Sequence, residues 1–223
     1  MMKELQQSLS DFALSLGADD VGFCALPSPA QGFSHLPHAV SICVKLSDAV
    51  LRGIENAPTY SYFQHYRTAN ALLDTIAFRV SRQLEKAGFS AFPVAASQSQ
   101  GKFNPYGGVY AHKTAAVCSG LGFVGKSGLF LHPNWGSKVR LATVLTDAPF
   151  TAEKPQIENG CGDCRLCADA CPAGAIYGEL PHADGTRNLD PEKCSYYMKT
   201  HFQDIGRGSV CGICVKVCPK NQL

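Results

Sequence analysis

Residues 161–176 read CGDCRLCADACPAGAI, and residues 211–219 read CGICVKVCP. The first run sets Cys161, Cys164, Cys167 and Cys171 at C-x2-C-x2-C-x3-C and follows them at once with Pro172. This is the spacing with which a chain wraps a cubane iron–sulfur core: three thiolates two residues apart reach one cluster, and the fourth, on the turn of helix that follows, points to a second. The second run ends in the same C-x2-C-x3-C-P pattern with Cys211, Cys214, Cys218 and Pro219, and its remaining cysteine is displaced to Cys194. Eight cysteines therefore serve two 4Fe-4S clusters. The crossed pairing of such runs assigns Cys161, Cys164, Cys167 and Cys218 to cluster 1, and Cys171, Cys194, Cys211 and Cys214 to cluster 2. Structural zinc modules instead pair C-x2-4-C knuckles across a longer loop and rarely set three thiolates at two-residue intervals.

The other three of the eleven cysteines, Cys24, Cys43 and Cys118, sit in the apolar settings VGFCAL, VSICVKL and AAVCSGL, where a small buried hydrophobe is the expected role. An odd cysteine total without a secretory leader speaks against a secreted disulfide framework. The opening MMKELQQSLSDFALSLGADD interleaves polar residues and reads as an amphipathic helix, so the expected compartment is the cytoplasm. With 45% hydrophobic and 17% charged residues the chain has a globular composition, and no run approaches the roughly 18 apolar residues that span a bilayer. The formal charge is +2 and no Lys/Arg cluster stands out, so nucleic acid is not an expected partner. Two thiolate-bound clusters lower that charge further, to roughly −2.

Upstream of the cysteine runs the pattern is that of an α/β domain. Strands are expected at Asp20 to Leu26, Ala39 to Leu46, Phe89 to Ala95 and Val139 to Asp147. Ser61 to Lys86 keeps apolar residues three and four apart and reads as a long helix ended by Gly88, and His112 to Ser119 reads as a shorter one. Gln98 to Gly108 is a loop by composition, and Pro149 to Gly160 reads as a linker.

Gly120 to Ser127, GLGFVGKS, matches G-x-x-x-x-G-K-[ST] and also contains G-x-G-x-x-G. Either phosphate-binding fingerprint needs a strand before it and a helix after it. Here a helical HKTAAVCS precedes it, and GLFLHPNWGS, with two glycines and a proline, follows. A phosphate-binding loop is not expected.

The stretch HKTAAVCSGLGFVGKSGLFLHPNWGSKVRLATVLTDAPF (112–150), followed by the two cysteine runs and the lone Cys194, resembles the epoxyqueuosine reductase family and its short relatives. The resemblance runs from Ala111 to the C-terminus and extends loosely over the N-terminal third. It implies an α+β protein, with a nitroreductase-like α/β cofactor-binding domain over 1–150 and a ferredoxin-like module with two clusters over 151–223. It further implies a reductase related to reductive dehalogenases, in which the Gly-rich stretch lines a cobalamin site. His112, Lys113, Gly122, Gly125, Lys126, Ser127 and Arg140 are then the candidate cofactor-binding residues. Flavin is the alternative cofactor.

Departures from the family narrow the expectation. The region FNPYGGVYAHK (103–113) lacks the acid that donates a proton in epoxyqueuosine reductases, and the chain ends at Leu223, short of the segments with which tRNA-acting members continue. No D-x-H-x-x-G occurs, so a cobalamin here would lack the lower His ligand that this pattern provides. Tyr110 or Tyr106 is the candidate catalytic proton donor, with Lys113 or His112 expected to lower the phenol's pKa. The expected activity is delivery of low-potential electrons, drawn from a ferredoxin- or flavodoxin-like donor, to a bound cobalamin that reduces a small organic substrate. The alternatives are an electron carrier that reduces a corrinoid protein and a shortened epoxyqueuosine reductase acting on tRNA.

Overall fold

The computed structural model describes residues 2–180, 188–206 and 210–222. Among the described residues, six strands form two sheets. β1 (Asp20–Ala25), β2 (His38–Lys45), β3 (Ala91–Val94) and β6 (Val139–Thr146) form a four-stranded sheet in the order β1-β2-β6-β3, and β4 (Phe123–Val124) and β5 (Phe130–Leu131) form a separate pair. Both β1–β2 and β3–β6 run antiparallel. The strands of the larger sheet are the four apolar runs expected from sequence, and six successive residues of β2 are buried. Helices α1 (Met2–Ser15), α2 (Asp48–Arg52), α3 (Tyr60–Lys86), α4 (His112–Cys118), α5 (Leu166–Asp169), α6 (Pro191–His201), α7 (Gln203–Gly206) and α8 (Ile213–Lys216) complete the mixed α/β architecture.

The chain divides into two compact units. Unit 1 takes Met1–Lys45, Ala69–Gly122 and Arg140–Ile157, and unit 2 takes Leu46–Thr68, Phe123–Val139 and Glu158–Leu223. This interleaved division differs from a single break between 150 and 151, because short stretches from mid-chain pack with the cysteine runs. At Gly212 a Cβ would stand 2.6 Å from the ring of Tyr62 and 2.9 Å from Ile54, which shows how closely the 46–68 stretch approaches the second run.

In unit 1, α1 and α4 pack on the sheet, α4 against both β1 and β2. The expected linker, 149–160, is irregular but not a loose tether at its start. Phe150 is fully buried and meets Phe23 edge-on at 5.0 Å, while Lys154 Nζ donates to Asp20 Oδ1 at 2.6 Å. An apolar ring and a paired cation within the segment give it a place on β1 that composition does not reveal. Among the described residues, no helix is long and apolar enough to cross a membrane.

α2 and the β4–β5 pair escape the sequence pattern because five- and two-residue elements are shorter than any periodicity. α6 has no buried residue and so shows no apolar stripe. Its start is capped: Asp190 is the N-cap, its Oδ1 accepting from the backbone N–H of Glu192 and Lys193 at 3.0 Å each, with Pro191 in the first turn.

Candidate metal centre

Unit 2 builds its two cysteine runs alike. Each ends in a single turn of helix, α5 after Cys161 and Cys164, α8 after Cys211, and these two turns pack on each other. Cys167 and Cys214 sit within the turns, and Cys171 and Cys218 follow them.

This repetition draws cysteines of the two runs together. Cys161, Cys164, Cys167 and Cys218 line one hollow, together with Lys126, Ser127, Leu131, Pro219 and Lys220. The second set is recognised by the way its thiols influence one another. Burial, followed by Cys211 and Cys171, pushes the Cys194 thiol up to about 11. Burial also raises Cys214, with Cys211, Cys194 and Cys171 adding to the effect. Thiols this close oppose each other's ionisation, and an iron core would supply the compensating positive charge. Among the described residues no three His, Cys, Asp or Glu side chains draw together as the ligands of a single ion would. Two sets of four cysteines match in number the ligands of two cubane clusters.

A hydrogen bond already points at one of the sulfurs: the N–H of Ala175 donates to Cys171 Sγ at 3.4 Å.

The Gly-rich motif adjoins this centre. No helix follows Ser127; instead, Gly125 N–H donates to Leu129 O and Gly128 N–H to Gly125 O, both at 2.9 Å, closing a tight turn between β4 and β5. A Cβ on Gly125 would lie 2.7 Å from Leu131 Cδ1 and 3.1 Å from Cys161 Sγ, so the glycine is what lets the turn lie against the first cysteine. Two asparagines hold it there. Asn188 Nδ2 donates to the carbonyls of Gly125 and Lys126, both at 3.0 Å, while Asn159 Nδ2 donates to Val124 O at 2.7 Å and its Oδ1 accepts from Cys161 N–H at 2.9 Å. Sequence reasoning missed both. The N-x-C spacing at 159–161 is a signal only once Cys161 is known as a ligand.

The remaining candidates lie in unit 1 and are committed differently. His112 Nε2 donates to Ala95 O at 3.1 Å, which leaves Nδ1 to accept from the Thr143 hydroxyl at 2.9 Å, so both ring nitrogens are engaged. Burial, with the charge of Arg140, holds this imidazole below its usual range. Arg140 Nε donates to Asn70 Oδ1 at 2.9 Å and Nη2 to Ala96 O at 3.4 Å. Lys113 is exposed and Gly122 buried. Tyr106 is 43% exposed. Tyr110 departs most from expectation: far from being acidified by His112 or Lys113, its phenol is pushed up to about 12 by burial and by the neighbouring Cys118 and Cys24 thiols. It lies in an apolar cluster with Cys24, Leu36, Ala115 and Leu145, and its hydroxyl has no hydrogen-bond partner. Cys24 and Cys43 are buried as expected, and Cys118 is half-buried.

Residues 160–221 match the family model described as a 4Fe-4S double cluster binding domain, which indicates two such clusters. The chain is 32% identical over 124 residues to the epoxyqueuosine reductase of Staphylococcus aureus, a span of 52% of this chain and 30% of that protein. It is also 32% identical over 164 residues to the tetrachloroethene reductive dehalogenase of Dehalobacter restrictus, covering 66% of this chain and 27% of that protein. Among solved structures, a reductive dehalogenase described with a mechanism for B12-dependent dehalogenation superposes with a TM-score of 0.76 at 27% identity, over 96% of this chain and 31% of its own. An epoxyqueuosine reductase solved with an epoxyqueuosine-modified tRNA stem loop gives 0.69 at 19% identity, over 100% of this chain and 66% of its own, a likeness of fold. The chain thus spans about a third of the length of the curated relatives it matches. The expectation against nucleic acid is not borne out by these relatives, since one was solved with a tRNA stem loop.

Proposed function

We propose that this chain, a short relative of the epoxyqueuosine reductases and the reductive dehalogenases, is an iron–sulfur reductase whose two clusters deliver low-potential electrons to a cobalamin at the Gly125–Ser127 turn. The observation that carries the reading is a shared wall: Gly125 presses on Cys161, and Lys126 and Ser127 line the same hollow as the four cysteines assigned to cluster 1. When bound, the clusters relay single electrons and a cobalamin supplies a strongly reducing cobalt centre.

The chain's own contributions follow from its residues. Cys161, Cys164, Cys167 and Cys218 hold cluster 1, and Cys171, Cys194, Cys211 and Cys214 hold cluster 2. Lys126 and Ser127 offer a cation and a hydroxyl to a polar cofactor edge, and Gly125 keeps a side chain out of its way. His112 and Arg140 fit less well as direct cofactor contacts, because their donors are already engaged within unit 1. Their part is to stiffen a nitroreductase-like sheet. Tyr110 retains its proton far above neutrality, which suits an acid that protonates only a strongly basic, freshly reduced substrate, and Tyr106 is the exposed alternative. A ferredoxin- or flavodoxin-like protein is the electron donor, and the substrate is a small organic molecule.

Anaerobic titration of cluster-loaded protein with hydroxocobalamin tests the reading, following absorbance and EPR under dithionite. Stoichiometric binding with cobalt reduction is the expected result. Absence of binding would leave a two-cluster electron carrier that serves a separate corrinoid protein. A third reading, a shortened epoxyqueuosine reductase, is favoured by the kinship with the tRNA-bound enzyme, and stoichiometric binding of a queuosine-type tRNA stem loop would establish it.

A further inference from the structure

The two cysteine runs close on the same turn, but the fourth residue of that turn differs: residues 171–174 read CPAG and residues 218–221 read CPKN. In both, the N–H of the last cysteine donates to the carbonyl three residues back, Ala168 at 3.1 Å and Val215 at 3.2 Å. The cysteine's own carbonyl accepts from the N–H three residues on, Gly174 at 3.0 Å and Asn221 at 3.1 Å. The main chain therefore makes this turn with or without a side chain at its fourth position.

What Asn221 adds is a clip around Cys218. Its side chain is fully buried, and Nδ2 donates at 2.5 Å to Val215 O, the same carbonyl that holds the Cys218 N–H. From the other side, Asn221 Oδ1 accepts from Ser137 N–H at 2.7 Å and from the Ser137 hydroxyl at 3.2 Å. The turn that presents Ser137 is itself pinned by reciprocal backbone hydrogen bonds between His132 and Gly136, both 2.8 Å. Gly136, at φ +59°, lets it approach so closely that a Cβ there would stand 2.3 Å from Asn221 Oδ1. Cys171 has no such clip. Gly174 lacks a side chain, and a Cβ there would meet nothing within 4 Å.

We propose that Asn221 is the positioning residue that fixes Cys218, so that cluster 1 keeps the iron this cysteine holds, while cluster 2, whose crossing ligand Cys171 is held by main-chain bonds alone, is the more labile of the two. The inference rests on the reading of Cys218 as a cluster 1 ligand. The other three ligands of that cluster lie on one short run and constrain one another, whereas Cys218 comes from the other run and depends on the fold around it. An iron leaves a cubane when its thiolate swings away. Groups behind a ligand that fix its direction are worth about 10–100-fold in metal affinity, and the buried amide of Asn221 is placed to act in this way.

The test compares wild type with Asn221→Gly, which copies Gly174, after anaerobic loading of each to about eight irons. Limited ferricyanide takes one electron from a cubane and is reduced to ferrocyanide; the oxidised cubane then releases a ferrous ion and leaves an all-ferric 3Fe-4S core with an EPR signal of its own. Under matched oxidation Asn221→Gly should shed about one iron per chain beyond any that wild type loses, roughly 10–100-fold faster, with a matching gain in the 3Fe-4S signal. Equal iron retention and equal signals in the two loaded proteins would overturn the proposal. Loss of half the iron from Asn221→Gly before oxidant is added would overturn it as well, because Asn221 would then be needed to build the site rather than to hold one corner of it. Hydrogen exchange on loaded wild type tests the clip without any substitution. The amides of Cys218 and Asn221 should exchange more slowly than those of Cys171 and Gly174, and equal rates would overturn the asymmetry. A wild-type protein that takes up fewer than two clusters would overturn the cluster reading itself, a result distinct from all of these.

Discussion

The two units place their polar groups in opposite service. In unit 1 the conspicuous side chains turn inward on the fold: His112 bridges Ala95 and Thr143, and Arg140 is drawn to Asn70 and Ala96. In unit 2 Asn159 and Asn188 support the first cysteine and the loop beside it. The apolar groups divide in the same way. Of the twelve largest fully buried side chains, nine lie in unit 1, among them Leu9, Ile42, Leu84 and Phe150, and three in unit 2: Leu46, Leu51 and Ile54. Unit 1 has a conventional core. Unit 2, with four-residue helices around its sulfurs, depends on what those sulfurs bind.

Iron removal is the strongest way to break this comparison. Stripping the clusters by anaerobic chelation should abolish hydrogen-exchange protection across 158–180 and 210–222 while the strands β2 and β6 stay protected. Uniform loss in both units would show that they form a single cooperative structure, and no loss in unit 2 would show a core that stands without metal. Within the same frame, Cys161→Ala should lower the iron content from about eight to about four per chain, since each cysteine serves one cluster.

The converse experiment falls on unit 1. Leu84 is fully buried in α3, and Leu84→Ala should destabilise the sheet unit by about 2–5 kcal/mol. Calorimetry should show the loss in one transition, with the iron content unchanged. Iron loss in step with the melting of unit 1 would erase the distinction between the units.

The sequence revealed both units unequally, for physical reasons. Strands and long helices of unit 1 repeat apolar residues at fixed intervals, so β2, α3 and β6 could be read within a residue or two of their ends. The double-cluster module could also be read, because cluster ligation fixes cysteine spacing as strictly as a helix fixes its stripe. The supports could not. Asn159 and Asn188 act across gaps of up to 63 residues, and a lone Asn carries no periodicity. The Gly-rich motif was half legible: its neighbours excluded a phosphate loop, but only the fold shows Gly125 against Cys161. Tyr110 misled because proximity in sequence to His112 and Lys113 says nothing about which way a phenol faces.

A smaller effect separates the units by pH. His112 is held neutral in the fold, chiefly by burial, with Arg140 adding to the effect while Ala95 O and Asp74 oppose it. Its folded pKa lies below the unfolded value of about 6.5, so the folded state binds fewer protons than the unfolded one. Its stabilising contribution is complete above about pH 6.5 and declines as pH falls toward the folded pKa, by at most about 1.4 kcal/mol per unit. Wild type should therefore lose more unit 1 stability than His112→Gln between pH 7.5 and 5.5. Equal losses would assign the decline to the carboxylates.

The smallest expected change in stability tests the residue whose place in the fold and proposed role conflict. A buried hydroxyl without a partner costs about 1–3 kcal/mol, and its removal leaves an isosteric ring in an apolar cluster. Tyr110→Phe should therefore raise the stability of unit 1 by about 1 kcal/mol, read as a small upward shift of its melting transition. If the phenol is the acid, the same variant should lose turnover of the proposed small organic substrate while still binding cobalamin. Stability gained together with lost turnover would explain why the unpaired hydroxyl is retained. Stability gained with full turnover would reduce Tyr110 to packing and transfer the proton to Tyr106, which already faces solvent and needs no burial to be opposed.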